Sequence, residues 1–394
     1  MSGRRPRIAV LWNPLSGYMH AQLTALATEG AELLLFYRSA QANAPFDDDA
    51  LKGSIDAHRW SARPDDAELD RLLDRFDADA ILVSSWQIGP YRRAARRRRG
   101  RTLRVLCMDN QWWRTPRQRA GVAIARWLIH PTYDAAFVAG DRQADFAERL
   151  GFSAENIIWG LYTCDYPTYA AVAERRGAAL PPSRFLFVGR LVESKAIDVM
   201  AEGYRLYRSR VPDPWPMLVA GTGPQERLLR RVDGVKMLGF VQPRELPSVF
   251  DDAGCLLLPS RFEPWGVVIH EATAAGLPVV CTRVCGAATR LVLDGYNGVV
   301  MSTGDASAVA EGISRISRAG DRERRAMGEA SRTLAAQYSP ERWATNLLRR
   351  IPVMRKAAGL AACPWEVPWA GRSEVLADSS RSALHRQDAR ANPT

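Results

Sequence analysis

The sequence predicts an α/β protein made of two doubly wound, parallel-sheet domains. Three observations carry that reading. The chain has 394 residues, enough for two cores at ~100–200 residues per domain. Short apolar runs alternate with helix-period segments, the pattern of a parallel sheet covered by helices. The alternation lapses over Asp165–Pro182 and then restarts. The expected division is therefore residues 1–170, 183–337, a final helix 338–355 and a polar tail 356–394.

In the first half the expected strands are Arg7–Trp12, Ala31–Tyr37, Ala78–Ser84, Leu103–Met108, Ala135–Ala139 and Ile157–Tyr162. Each is an apolar run short enough for a buried parallel strand. Between them His20–Glu29, Asp66–Phe76, Val122–Leu128 and Arg142–Leu150 read as helices. Asp165–Pro182, with Tyr166-Pro167 and Pro181-Pro182, reads as the linker.

In the second half the strands are Phe185–Val188, Met217–Ala220, Lys236–Leu238, Cys255–Leu258, Val279–Cys281 and Gly298–Met301. The helices are Ile197–Arg210, Gln225–Arg231, Arg244–Asp251, Gly266–Ala275, Asp305–Ala319 and Arg322–Gln337. A last helix begins at Ser339-Pro340, with proline in its first turn. Beyond about residue 355 periodicity is lost, and the polar composition predicts disorder.

Composition narrows the class. Apolar residues make up 47% and charged residues 25%, the balance of a soluble globular chain. No apolar run reaches the ~18 residues of a membrane span. The N-terminus shows no signal-peptide core, so the expected location is cytoplasmic. Six scattered cysteines have no zinc-site spacing, which predicts neither disulfide nor metal. The formal net charge is +11. Much of it sits in Tyr91-Arg-Arg-Ala-Ala-Arg-Arg-Arg-Arg-Gly-Arg101. That run suits a solvated basic helix. It equally suits an anionic membrane surface through Arg92–Arg101, which would make the protein peripheral at the inner face. No nucleic-acid recognition module accompanies it.

The chemistry-bearing stretch is Pro259-Ser-Arg-Phe-Glu-Pro-Trp-Gly-Val-Val-Ile-His-Glu-Ala272. It places Glu263 in a strand-to-helix loop and Glu271 one to two turns into the helix. A helix start at the carboxyl edge of a parallel sheet is an anion site, and carboxylates there accept hydrogen bonds from sugar hydroxyls. Two acidic residues near a helix start are equally ordinary without any ligand. The second signal is Val188-Gly-Arg-Leu-Val-Glu-Ser-Lys-Ala196, where a strand ends at Gly189 and Arg190 and Lys195 flank the following turn. Two nearby cations suit a diphosphate; they also suit a plain surface turn. Gly221 and Gly223, in Ala220-Gly-Thr-Gly-Pro224, permit close backbone approach to a ligand.

Taken together these strings resemble retaining nucleotide-sugar glycosyltransferases of family 4, the glycogen-synthase-like set. The two glutamates with seven residues between them are its most specific mark. The resemblance spans about residues 184–350 and is faint before them. It implies the GT-B architecture, two Rossmann-like domains facing across a cleft, with the last helix crossing back to the first. It implies a nucleotide-diphosphate sugar as co-substrate, with no other cofactor, and a glycan, lipid-linked or small-molecule acceptor.

Residue by residue, it puts Arg190 and Lys195 on the donor diphosphate and Glu263 on the transferred sugar. Glu271 would bind the ribose. The segment Trp265-Gly266-Val267 would meet phosphate or sugar, and Phe240-Val241 the base. Gly17, in the loop after the first strand, is a candidate for approaching donor phosphate or acceptor. Relatives often show a histidine in the first domain; here the matching loop is Met108–Arg114, with Asp109 as a base or acceptor-orienting group. Trp112 and Trp113 suit either an acceptor platform or the core. His20 is a further acceptor-side candidate, and Asp165 resembles an interdomain aspartate. Two departures stand out: Ala196 replaces a usual glycine, and Arg290 sits where an acid is usual.

Two rival classes fit less well. A non-catalytic partner subunit of the same fold would not need Arg190, Lys195, Glu263 and Glu271 together. A Rossmann oxidoreductase would need Gly-x-Gly-x-x-Gly after the first strand, where this chain has Asn-Pro-Leu-Ser-Gly. No Ser/His/Asp or Cys/His arrangement suggests a hydrolase.

Overall fold

The computed structural model describes residues 4–13, 15–38, 55–60 and 65–365. From residue 366 on, the expected tail lies outside them. Arg5–Cys363 form one compact unit that contains two parallel sheets.

The first sheet has seven strands: β1 (Arg7–Trp12), β2 (Glu32–Arg38), β3 (Asp56–Trp60), β4 (Ala80–Val83), β5 (Leu103–Met108), β6 (Ala135–Val138) and β7 (Ile157–Trp159). Their order is β3-β2-β1-β4-β5-β6-β7, all parallel. Ile8–Leu11 and Leu103–Met108 are buried throughout, as strands covered on both faces must be. Helices α1 (Gly17–Thr28), α2 (Asp66–Phe76), α3 (Gly89–Arg97), α4 (Pro116–Leu128) and α5 (Asp141–Arg149) connect them.

The second sheet runs β10-β9-β8-β11-β12-β13, again all parallel. Its strands are β8 (Phe185–Val188), β9 (Met217–Ala220), β10 (Val235–Gly239), β11 (Cys255–Leu258), β12 (Val279–Thr282) and β13 (Gly298–Met301). The helices around it are α6 (Tyr166–Arg176), α7 (Ile197–Arg210), α8 (Leu246–Asp251), α9 (Val267–Ala274), α10 (Ala288–Leu291), α11 (Ala306–Arg318) and α12 (Asp321–Ala335). In both sheets the strand order reverses beside the first strand of the set, at β1/β4 and at β8/β11. Those reversals open a crevice at the carboxyl ends of the strands.

The last helix, α13 (Pro340–Ala357), packs on the first half. Trp343 donates its indole N–H to Leu161 O at 2.9 Å and stacks on Phe137. Arg355 donates to Asp79 O at 2.6 Å.

Two expectations are corrected and one strand is added. The linker contains helix α6: Pro167 sits in its first turn, where proline starts a helix rather than stopping one. Arg176 ties α6 to α9 through Ala275 O at 3.1 Å. Gln225–Arg231 holds only a short 3-10 turn, Glu226–Leu228. Strand β3 went unread because Asp-Ala-His-Arg-Trp is a half-exposed edge strand with weak alternation.

The arginine cluster is no open field of charge. Asp66, Asp70 and Asp74 sit on successive turns of α2. Arg93 pairs with Asp66, Arg97 with Asp66 and Asp70, Arg98 with Asp70 and Asp74, and Arg101 with Asp74.

Candidate active site

The reversal between β8 and β11 brings two loops together. Gly189 opens the first, and Lys195 lies six residues on. The second leaves β11 through Ser260 and Glu263 and enters α9 at Gly266. Backbone bonds staple the loops: the N–H groups of Arg261 and Phe262 donate to Ser194 O at 2.8 and 3.0 Å. Arg261 then forks onto Asp198 with two contacts of 2.6 Å, a rigid bidentate geometry.

At the centre Lys195 Nζ donates to Glu263 Oε2. Ser260 Oγ donates to the same oxygen at 3.3 Å. The Glu263 side chain is 9% exposed and that of Lys195 16%. A carboxylate so enclosed needs its cation. Gly266 makes the fold-back possible twice over. Its φ of +90° suits glycine, and a Cβ there would come within 3.1 Å of Glu263 Cγ. Arg190 follows Gly189 in sequence and is exposed.

Glu271 lies one turn into α9. Burial pushes its carboxyl up to about 7; the Tyr169 hydroxyl alongside lowers it and Asp165 raises it further. Its neighbour His270 is structural. Nδ1 accepts from Cys164 N–H at 3.0 Å and Nε2 donates to Ala335 O at 3.2 Å. Burial pulls this imidazole down to about 4, so it stays neutral.

The glycines of the loop after β9 lie against the loop after β8. A Cβ at Gly221 would meet Gly189 O at 1.9 Å, and one at Gly223 would meet Leu191 O at 2.4 Å. They let two backbone loops approach each other. Phe240 and Val241 follow β10 and are half-buried. Gly17 opens α1, and a Cβ there would lie 2.9 Å from Pro243 Cβ. It therefore brings the α1 start against the loop that carries Phe240 and Val241.

Trp265 is 6% exposed, and its ring is wedged between Gly140 and Gly286. It fills the seam between the halves with its side chain; its carbonyl accepts from Ala287 N–H at 2.9 Å. Val267 is the first residue of α9.

From the first half, Asp109 follows β5. Burial raises its carboxyl, and the Glu263 carboxylate pushes the same way. Tyr162 Oη donates to Asp109 Oδ2 at 3.4 Å. Tyr18 packs edge-on against Tyr162 at 5.2 Å. Burial lifts the Tyr18 phenol to about 12, and both Asp109 and Glu271 influence it. Asp109, Tyr162 and Tyr18 thus face the Glu263–Glu271 loop. His20 instead lines a hollow with Asp165 and Glu341. Asp165 precedes α6 and accepts from Thr168 Oγ1 at 2.7 Å.

Sequence reading missed the groups that hold the seam. Gln111, 3% exposed, reaches Glu263 O and Pro264 O at 3.0 Å and Val284 O at 2.9 Å with its amide nitrogen. Gln143 bonds Pro264 O at 2.6 Å and Asp109 O at 3.0 Å. Arg290, the unusual basic residue, forks onto Asp141 at 2.7 and 2.5 Å, so it too spans the halves. Trp113 stacks on Phe262 at 4.8 Å across the seam, while Trp112 packs into the first core on Phe146. Ala196 is buried in the left-handed region at φ 55°, so its departure from glycine costs backbone strain.

A family model described as Glycosyl transferases group 1 matches residues 182–319. A D-inositol 3-phosphate glycosyltransferase of Corynebacterium urealyticum is 32% identical over 199 residues, 46% of each chain. A glycogen synthase of Mycobacterium tuberculosis is 27% identical over 202 residues, 48% of this chain and 47% of its own. The chain spans about half the length of the curated relatives it matches. Solved structures extend the likeness to both sheets. Sucrose-phosphate synthase from Thermosynechococcus elongatus superposes with a TM-score of 0.68 at 19% identity, over 88% of this chain and 98% of that one. Anabaena HepE, solved with UDP and glucose, gives 0.65 at 17% identity, over 88% and 99%. Residues 182–319 therefore resemble the glycosyl transferases group 1 family, and the chain carries the two-sheet GT-B fold.

Proposed function

We propose that the protein is a retaining glycosyltransferase moving a hexose-type sugar from a UDP- or GDP-sugar to a hydroxyl of a glycan, lipid-linked or small-molecule acceptor. The observation that carries this is the enclosed Lys195–Glu263 pair at the β8/β11 reversal, inside the stretch that matches the family model. HepE, with UDP and glucose bound, supports a uridine nucleotide as the first donor to test.

In this reading Arg190 and Lys195 offset the charge that grows on the diphosphate as the glycosidic bond breaks. Fixed cations aimed at developing charge stabilise a transition state more than a ground state. No metal ion is required for that step. Glu263 accepts hydrogen bonds from the sugar hydroxyls and Glu271 from the ribose. The departing phosphate takes the acceptor proton on the face of attack, so no carboxylate nucleophile of the glycosidase kind is needed. Asp109, held by Tyr162 and raised by burial, orients the acceptor hydroxyl. Gly189, Gly221, Gly223 and Gly266 shape the donor loops, and Gly17 sets the facing helix start against Phe240 and Val241.

Thermal shift with UDP, GDP, ADP and their sugars tests this. At ~100 times its dissociation constant a ligand adds ~2.7 kcal/mol to the folded state. A shift with one nucleotide, lost in Arg190→Ala/Lys195→Ala, supports the reading. No shift with any of them, in a folded protein, turns it toward a non-catalytic partner subunit.

A further inference from the structure

Helix α4 packs on the first sheet by a narrow stripe. Gly121 and Ala125 are its buried residues; Gly121 rests against the Trp86 ring, where a Cβ would come within 3.0 Å. The outward face is not the polar one a surface helix normally shows. Arg117, Ala120, Ile124 and Trp127 follow one another along one row, and Arg119, Ala123 and Arg126 along the next. Ile124 is 45% exposed and Trp127 58%. The Arg126 guanidinium lies 3.8 Å from the Trp127 ring centre. No acidic residue occurs between Asp109 and Asp134, a stretch carrying Arg114, Arg117, Arg119 and Arg126.

We propose that this face of α4 docks on an anionic lipid surface. Exposed isoleucine and tryptophan on one side of a helix are unfavourable in water and favourable at a headgroup boundary, where tryptophan sits well. The flanking arginines, with no acid beside them in sequence, supply the matching charge. Helix α3 offers the instructive control. It has more arginines, but Arg93, Arg97, Arg98 and Arg101 are occupied by Asp66, Asp70 and Asp74. The docking surface is therefore the helix with fewer arginines and an apolar ridge. The inference does not depend on the nucleotide-sugar reading, since it needs neither donor nor acceptor.

The test is sedimentation of the full chain with phosphatidylcholine vesicles and with vesicles that also contain phosphatidylglycerol. Wild type should pellet with the mixed vesicles and be released by salt. Each of Arg117→Gln, Arg119→Gln and Arg126→Gln should lower the partition coefficient about fivefold. Ile124→Ser/Trp127→Ser should abolish binding while the thermal midpoint is unchanged. Trp127→Phe, which is safe for folding, should keep binding but lose most fluorescence quenching by brominated lipid. The proposal is overturned if wild type ignores anionic vesicles, or if Arg96→Gln/Arg99→Gln on and beside α3 removes binding while the α4 variants keep it. It is also overturned if Trp127→Ser dissolves a dimer on size exclusion with no effect on vesicles, because the face would then cover a second copy.

Discussion

The two halves share the strand order 3-2-1-4-5-6, which the first extends by a seventh strand, yet they present different chemistry at the reversal. In the second half the loops after β8 and β11 carry charge: Arg190, Lys195, Glu263 and Glu271. In the first half, the corresponding edge carries amides, phenols and one buried carboxyl: Gln111, Gln143, Tyr18, Tyr162 and Asp109. One half supplies charge and the other fixes where that charge is held. A common topology thus sets where a site opens, while the loops decide what it can do.

The sharpest test of this division sets Lys195→Ala against Gln111→Leu. Lys195→Ala removes a cation from the donor position, and nucleotide affinity should fall about 100-fold, the loss of a charge-assisted contact. Gln111→Leu deprives the carbonyls of Glu263, Pro264 and Val284 of their donor. It should cost about 2 kcal/mol of stability and leave nucleotide affinity within about threefold. Calorimetric titration and thermal denaturation of both variants read these quantities. Equal losses of affinity would end the distinction between the halves.

A second test lies within the charged half, at two adjacent residues. His270 is depressed to about 4 from 6.5, so the unfolded chain binds more protons between those values. Its contribution is present above pH 6.5 and is lost on acidification. Glu271 is raised to about 7 from 4.5, so the folded chain binds more protons. Its contribution is present below pH 4.5 and is lost as pH rises through 7. Between pH 7 and 5 each changes by about 2 kcal/mol in opposite directions, and together they leave wild type nearly level. Glu271→Gln should lose about 2 kcal/mol over that interval, measured as denaturant midpoints at the two pH values. A variant as level as wild type would show that His270 is not protected as described.

The smallest effect concerns backbone alone. Ala196→Gly relieves the left-handed strain, about 1 kcal/mol, and gives up a buried methyl, about 0.8 kcal/mol. The net change in stability should stay within about 0.5 kcal/mol. Ala196→Val, branched at Cβ, should instead be destabilising by more than 1 kcal/mol.

The same contrast explains what was legible in the sequence. Buried parallel strands and long amphipathic helices declare themselves, and Ile197–Arg210 forms over the expected residues. Lys195 and Glu263 stand out because ionic groups near glycine turns are conspicuous; the structure brings them into contact. Amides leave no such trace. Gln111 and Gln143 have no spacing rule, and each reaches a carbonyl more than a hundred residues away. Gly221 and Gly223 were visible as glycines, but their partners, Gly189 O and Leu191 O, belong to another loop. The acids opposite the arginine cluster were visible at Asp66, Asp70 and Asp74, four residues apart; that α2 and α3 lie side by side was not.

The ion pair between Lys195 and Glu263 bears on how any anion enters. The ammonium is not waiting for a ligand, because a carboxylate already acts as its counter-ion. A phosphate oxygen that took Lys195 from Glu263 would leave the freed carboxylate wanting hydrogen-bond donors. Bare phosphate satisfies half of that exchange. A molecule with an anionic group at one end and hydroxyls a few ångströms away satisfies both halves at once. Selectivity for such a molecule over a simple anion is then a property of the resting pair itself, set before any substrate arrives.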